Sequence, residues 1–189
     1  MTTRTTGVGD ALGDTFEGIE QVIGTRRNDN LRGDNDANIL FGGSATDRIF
    51  GRAGDDTING ESGTDIMYGN AGADVMTGGL GRDRYIYFRD TDSRPGEGRR
   101  DVITDFDSGT DRMEISRIDA DLTQRRKQRW DFVEEDAFTG TAGELRFEFD
   151  AALGLTIVQG DQTGAGQATF EIALEGDITL VERDFFLGF

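Results

Sequence analysis

The sequence predicts an all-β protein in two parts: a parallel solenoid of very short strands, then an antiparallel β-rich cap. Two observations carry that expectation. From Gly24 to Ile86 the chain falls into consecutive nine-residue units, each opening on Gly and carrying one apolar residue at its eighth position. Beyond them the period changes, and runs such as Leu145-Arg146-Phe147-Glu148-Phe149 and Phe170-Glu171-Ile172-Ala173-Leu174 read as half-buried strands. Three stretches follow: a lead-in over 1–23, the repeats over 24–86 and the cap over 87–189.

Composition narrows the chemistry before any motif is read. The 189 residues carry 37 Asp and Glu against 20 Lys and Arg, a formal charge of −17, with no His and no Cys. That excludes a zinc-protease site, a Ser-His-Asp or Cys-His pair, a thiolate cluster and a disulfide. Any metal held here is a hard cation on oxygen ligands. So acidic a chain repels phosphate backbones, which argues against nucleic acid as a partner. No apolar run approaches the roughly 20 residues of a membrane span. Met1 to Asp10 lacks the apolar stretch of an ordinary signal peptide. No carboxylate pair stands apart from the repeat columns, so the chain is not expected to be an enzyme.

The first half rests on the repeats GTRRNDNLR, GDNDANILF, GGSATDRIF, GRAGDDTIN, GESGTDIMY, GNAGADVMT and GGLGRDRYI. Position 6 reads Asp29, Asn38, Asp47, Asp56, Asp65, Asp74 and Asp83, and position 8 reads Leu31, Leu40, Ile49, Ile58, Met67, Met76 and Tyr85. Six residues rich in Gly, Asn and Asp make a turn, because Gly supplies positive φ and close backbone approach. The three that follow, apolar in the middle, make a short strand with one inward side chain. Repetition winds a solenoid whose successive strands lie on alternate sides, so two small parallel sheets face each other across the position-8 column.

One apolar side chain per nine residues cannot offset about 1–2 kcal/mol of backbone entropy per residue. The position-6 carboxylates supply the remainder. Turns on one edge come from every second repeat, pairing 29 with 47, 38 with 56, 47 with 65, 56 with 74 and 65 with 83. Carboxylates and exposed turn carbonyls then converge into an oxygen cage suited to Ca²⁺ and too irregular for Mg²⁺. Metal binding and folding become one event.

These nonapeptides resemble the GGxGxDxUx repeats of RTX proteins. The resemblance implies a parallel β-roll in which the position-6 side chains and turn carbonyls ligate Ca²⁺. The carbonyls implied are those of Gly42, Ser44, Gly51, Ala53, Gly54, Gly60, Ser62, Gly63, Gly69, Ala71, Gly72, Gly79 and Gly81. The lead-in GDTFEGIEQVIGT (13–25) is similar to the strand that precedes such rolls. Further on, DVITDFDSGTDRMEIS (101–116), FTGTAGELRF (138–147), GDQTGAGQATFEIAL (160–174) and LVERDFFLGF (180–189) resemble, in order, the C-terminal region of serralysin-type metalloproteases. The family's HExxH catalytic domain is missing from this sequence.

In DTDSRPGEGRRD, Asp92 and Asp101 match family positions that bind an additional Ca²⁺, at a longer spacing here; with it the resemblance implies about three to six ions. The family's GDxNGDGxxDF loop has become GDQTGAGQATF, where only Asp161 survives, and no cation is expected there. Asp184, Phe185, Phe186 and Leu187 resemble the acidic-then-apolar ending of type I secretion substrates, with Gly188 and Phe189 extending past it.

Other features have plainer readings. Asp105, Asp107 and Asp111 lack the Gly and Glu offsets of an EF-hand and read as turn residues around Ser108-Gly109. The cluster Arg125, Arg126, Lys127 and Arg129 beside Trp130 reads as a solvated run that offsets nearby acids. The leading expectation is thus a calcium-binding module that folds on Ca²⁺ in the extracellular medium after export by a Gram-negative type I secretion apparatus. One alternative is a module binding extracellular acidic polysaccharide, supported by the basic cluster at Trp130. Another is the tail of a secreted protease or lipase.

Overall fold

The computed structural model describes residues 5–6 and 21–188. Its short strands alternate between two sheets in chain order. β1 (Thr5–Thr6) and β2 (Gln21–Ile23) lie in the first sheet, β3 (Asn30–Arg32) in the second, β4 (Ile39–Ala45) in the first and β5 (Arg48–Ala53) in the second. The alternation continues through β6 (Thr57–Gly63), β7 (Ile66–Ala71) and β8 (Val75–Thr77); β9 (Leu80–Gly81) adds to the end of β6, and β10 (Arg84–Ile86) lies in the second sheet. All these pairings are parallel, and Leu40 stands beside Ile58, and Ile49 beside Met67, one full coil of two repeats apart. Of the lead-in resemblance, 13–20 lie outside the described residues; Val22 of β2 pairs with Leu40.

The repeat chemistry explains this path. Position 8 of every unit points inward, and Leu31, Leu40, Ile49, Ile58, Met67, Met76 and Tyr85 are all buried. Coils approach so closely that some positions exclude a side chain: a Cβ on Gly63 would lie 1.5 Å from the Ala45 carbonyl oxygen, and its φ is +154°.

The sheets do not stop where the repeats do. In the first, β11 (Asp101–Ile103) pairs with β8 and, on its other side, with β16 (Phe170–Glu175), both parallel. From there β15 (Leu155–Asp161) and β14 (Glu144–Asp150) continue antiparallel, and β13 (Asp131–Phe132) ends the sheet. In the second, β12 (Arg112–Glu114) pairs with β10, and β17 (Phe185–Phe186) with β12. One apolar core runs from Leu31 through Ile103 and Met113 to Trp130, Phe170 and Leu187. Both sheets thus run on past residue 87 into the cap. The connecting segment is pinned by Glu171, which accepts from the Gly96 amide and pairs with Arg100 at 2.9 Å, both side chains about 10% exposed.

The tail is part of this architecture. Asp184 accepts bonds from the Gly109 amide, the Ser108 hydroxyl and the Val181 amide at 2.7–2.9 Å, and Phe185 and Leu187 are buried.

Candidate metal centre

Each turn holds its neighbour through a carboxylate. The amide of Asp29 donates to Oδ1 of Asp47, that of Asp47 to Asp65, and that of Asp65 to Asp83, at 2.7–2.8 Å. On the opposite edge Asn38 donates to Asp56 and Asp56 to Asp74, both at 2.8 Å. These five contacts join the five pairs expected from the repeat register.

Two further rungs were not expected. Asp74 donates to Oδ1 of Asp101 at 3.0 Å, and Asp83 to Oδ1 of Asp111 at 2.9 Å, across separations of 27 and 28 residues. Asp101-Val102-Ile103 and Asp111-Arg112-Met113 repeat the Asp-x-apolar ending of the nonapeptides, which is the signal that could have found them. Asp105 also caps the last repeat, accepting from the Gly78 and Gly79 amides.

The second carboxylate oxygen makes the case for a cation. Oδ2 of Asp47, Asp56, Asp65, Asp74, Asp83 and Asp101 is buried without a hydrogen-bond partner. A buried, unmatched carboxylate oxygen costs several kcal/mol unless a counter-charge meets it. Turn carbonyls crowd the same region: the point where a Cβ on Gly60 would sit is 2.6 Å from Oδ2 of Asp65 and 2.7 Å from the carbonyl oxygen of Gly78. Gly42 repeats the arrangement with Asp47 and the Gly60 carbonyl, and Gly51 with Asp56 and the Gly69 carbonyl. Among the described residues no three Asp or Glu side chains are placed to hold a metal ion by themselves, so a cation here would draw most donors from the backbone. An all-oxygen, irregular, carbonyl-rich donor set fits Ca²⁺.

The electrostatics agree. Burial pushes the Asp47, Asp56 and Asp74 carboxyls from 3.8 up to about 7 and that of Asp83 to about 6; the amide bond each accepts opposes this in part, and neighbouring carboxylates add to it. Asp65, Asp92, Asp101 and Asp111 are raised as well, burial again being the largest cause.

Turn geometry departs from the sequence reading in one respect. Left-handed backbone occurs at position 2 as well as position 4, and at position 2 it is carried by Arg52 (φ 88°), Glu61 (68°) and Asn70 (69°) beside Gly43 and Gly79. Position 1 instead needs Gly for space.

Asp92 uses Oδ2 to accept the Phe88 and Arg89 amides and lies near enough for its charge to act on Asp74 and Asp101. Asp161 is occupied by its own loop, accepting from the Thr163, Gly164 and Gly166 amides and the Thr163 hydroxyl. Burial would raise its carboxyl, yet these bonds leave it below the ordinary value. Arg125, Arg126 and Lys127 are exposed. Their neighbour Trp130 is 2% exposed and packs edge-on against Phe170 at 5.4 Å, so the basic cluster has no accessible stacking surface at Trp130.

Fold and site define a class: a parallel β-roll stapled by stacked carboxylates and sealed by a β-rich cap, the architecture of calcium-binding roll modules. The model of the family described as "Peptidase M10 serralysin C terminal" matches residues 18–187. The chain belongs to that family, and its fold is that of a β-roll module. Among solved structures it is similar to the AlgE6R3 subunit of the Azotobacter vinelandii mannuronan C5-epimerase, with a TM-score of 0.60 and 26% identity over 82% of this chain and 80% of that one. The AlgE6R2 subunit of the same enzyme gives a TM-score of 0.55 and 26% identity over 87% of this chain and 91% of that one. A search of curated proteins finds no match.

Proposed function

We infer that this chain is a calcium-dependent folding module of an extracellular protein, exported through a type I apparatus as an unfolded chain and condensed outside. The observation that carries the reading is the row of buried, unpartnered Oδ2 atoms from Asp47 to Asp101. Calcium supplies, when bound, the positive charge those oxygens lack. The chain's own groups do the rest: Oδ1 fixes the preceding coil through its amide, the position-1 glycine leaves room for Oδ2, and position 8 closes the core. The proposed side-chain ligands are Asp47, Asp56, Asp65, Asp74 and Asp83, extended into the cap by Asp101, together with Asp29 and Asn38 of the first coils, whose oxygens also accept bonds from Thr25 and Asp34. At the sub-micromolar calcium of a cytoplasm the acidic turns repel and stay open; at millimolar calcium, sites with affinities of about 10⁻⁴–10⁻³ M fill. In the unfolded chain Asp184 to Leu187 is accessible to the exporter.

The test is circular dichroism of the full chain in EDTA and in about 10 mM Ca²⁺ at pH 8, a concentration well above such affinities. A coil-like spectrum in EDTA and a β spectrum in calcium are expected, with Asp65→Asn moving the calcium midpoint upward. An unchanged spectrum removes the coupling of folding to metal. Export is tested separately, by passenger fusions carrying or lacking 184–189 in a strain with a type I exporter. Equal export of both removes the assigned role of the tail.

A further inference from the structure

The inward column is aliphatic or Met from Leu31 to Met76, and its last member, Tyr85, carries a hydroxyl. Tyr85 lies in β10 between Met67 of β7 and Met113 of β12, fully buried, with its ring 6.0 Å from that of Phe106. A phenylalanine would fill this place without burying a polar atom, and a buried hydroxyl costs free energy unless it is matched. The hydroxyl donates to Oδ1 of Asp105 at 3.3 Å. That is long beside the roughly 2.7–2.8 Å usual between two oxygens.

The register of the turns shows what that hydroxyl meets. The point where a Cβ on Gly42 would stand has Oδ2 of Asp47 at 2.7 Å and the carbonyl oxygen of Gly60, one coil on, at 2.8 Å. On Gly60 the same point has Oδ2 of Asp65 at 2.6 Å and the Gly78 carbonyl oxygen at 2.7 Å. Gly78 opens the last repeat, and no repeat follows to offer it a carbonyl. Oδ2 of Asp83 is again 2.6 Å from its Cβ point, and the second oxygen there, also at 2.6 Å, is the hydroxyl of Tyr85. The phenol stands where the coil carbonyl stood before. Oδ2 of Asp83 is buried without a hydrogen-bond partner, so the hydroxyl proton is not spent on it. Two oxygens thus face one point with no donor between them, and the charges of Asp105, Asp111 and Asp83 all act on the hydroxyl.

We propose that the hydroxyl oxygen of Tyr85 is a ligand of the cation held at Asp83, replacing at the last turn the carbonyl that the next coil offers to earlier ones. The proposal rests on the calcium reading of the ladder. A hydroxyl whose proton points to Asp105 keeps its lone pairs free. A hard cation with a flexible coordination shell takes neutral oxygens of this kind beside carboxylates. The end of the roll is therefore a site of its own kind. Earlier turns rely on backbone oxygens that no substitution can delete, whereas this oxygen belongs to a side chain and can be removed while the ring stays in the core.

The experiment titrates the full chain with calcium in a calorimeter and, separately, with terbium(III), an ion of oxygen sites that emits when an adjacent phenol is excited. Tyr85→Phe should weaken one site about tenfold, the low end of what a metal site loses with one of its partners, and should lower tyrosine-excited terbium emission. Tyr68→Phe should change neither, because that ring lies on the outer face, stacked on Phe50 at 4.3 Å, with Arg32 5.2 Å from the Phe50 centroid. In an Asp105→Ala chain, Tyr85→Phe should still weaken the site. No further loss there would make the hydroxyl a mere donor to Asp105 and overturn the proposal. Native calcium affinity at every site of Tyr85→Phe overturns it as well. So does an absence of tyrosine-excited terbium emission from the native chain, a result that needs no variant to fold. Circular dichroism in calcium checks the fold of each variant. A native chain that binds no calcium sinks the ladder reading together with this one, whereas native binding untouched by Tyr85→Phe sinks this one alone.

Discussion

Acid should substitute for calcium. In the folded chain without metal, burial holds the Asp47, Asp56 and Asp74 carboxyls near 7 and that of Asp83 near 6, against 3.8 ordinarily. At ~1.36 kcal/mol per pH unit, ionising one of the first three inside the roll costs about 4 kcal/mol more than in the open chain. Halving that for the water that reaches the turn edges leaves about 2 kcal/mol each. The four together oppose folding at pH 8 by several kcal/mol, a large share of a typical net stability of about 5–15 kcal/mol. Because these values are raised on folding, the contribution is fully present below about pH 4, erodes as pH climbs through 6 to 7 and is gone at 8. In EDTA the far-ultraviolet β signal should therefore be weak at pH 8 and recover on titration to pH 5, whereas in calcium it should be strong at pH 8. Trp130, buried in the cap, reports that half independently through its fluorescence. Identical EDTA spectra at pH 5 and pH 8 would refute the claim that buried carboxylates govern the metal-free state.

Four substitutions test other parts of the structure, each by thermal or denaturant unfolding in calcium. Ile58→Ala empties a fully buried place in the inward column and should cost about 2–5 kcal/mol; outward Thr57→Ala should stay within about 0.5 kcal/mol. Glu61→Gly removes a side chain from left-handed backbone at φ 68° and should stabilise by up to about 1 kcal/mol after the entropy of Gly is subtracted; a loss of stability would contradict that turn geometry. Glu171→Gln leaves Arg100 about 10% exposed without its partner and should cost about 3 kcal/mol. Since the Glu171 carboxyl lies below its ordinary 4.5, its contribution is present above that value and is lost as pH falls through the lowered one.

Much of this molecule was legible in the order of its residues because one column does one job. Position 8 predicted the inward side chain and position 6 the edge partner, and both follow from a strand period of two within a repeat of nine. Legibility failed where geometry is imposed from outside the repeat. Nothing in Arg52 or Glu61 announces positive φ; closure of the coil forces it there. Asp111 read only as a turn residue because the longer coil hides its register, although its Asp-x-apolar ending matches the repeats. The Asp-Phe-Phe-Leu tail read as an export address, and two residues are too few to display the strand they form against β12. Arg32, Phe50 and Tyr68 look unrelated as letters and become neighbours only through the register that puts position 9 of alternate repeats side by side.

The ladder of amide-to-carboxylate bonds has a polarity. In every rung the amide belongs to the earlier coil and the carboxylate to the later one, so each coil's amide is answered by the coil that follows it. The terminal acceptors lie beyond the repeats, Asp101 opening β11 and Asp111 just before β12, two strands whose Ile103 and Met113 join the apolar core. The C-terminal half therefore supplies the last acceptor on each edge of the ladder. Trimming the first repeat removes one donor from the end of the ladder, whereas losing Asp101 and Asp111 would part the last coil on each edge from the cap.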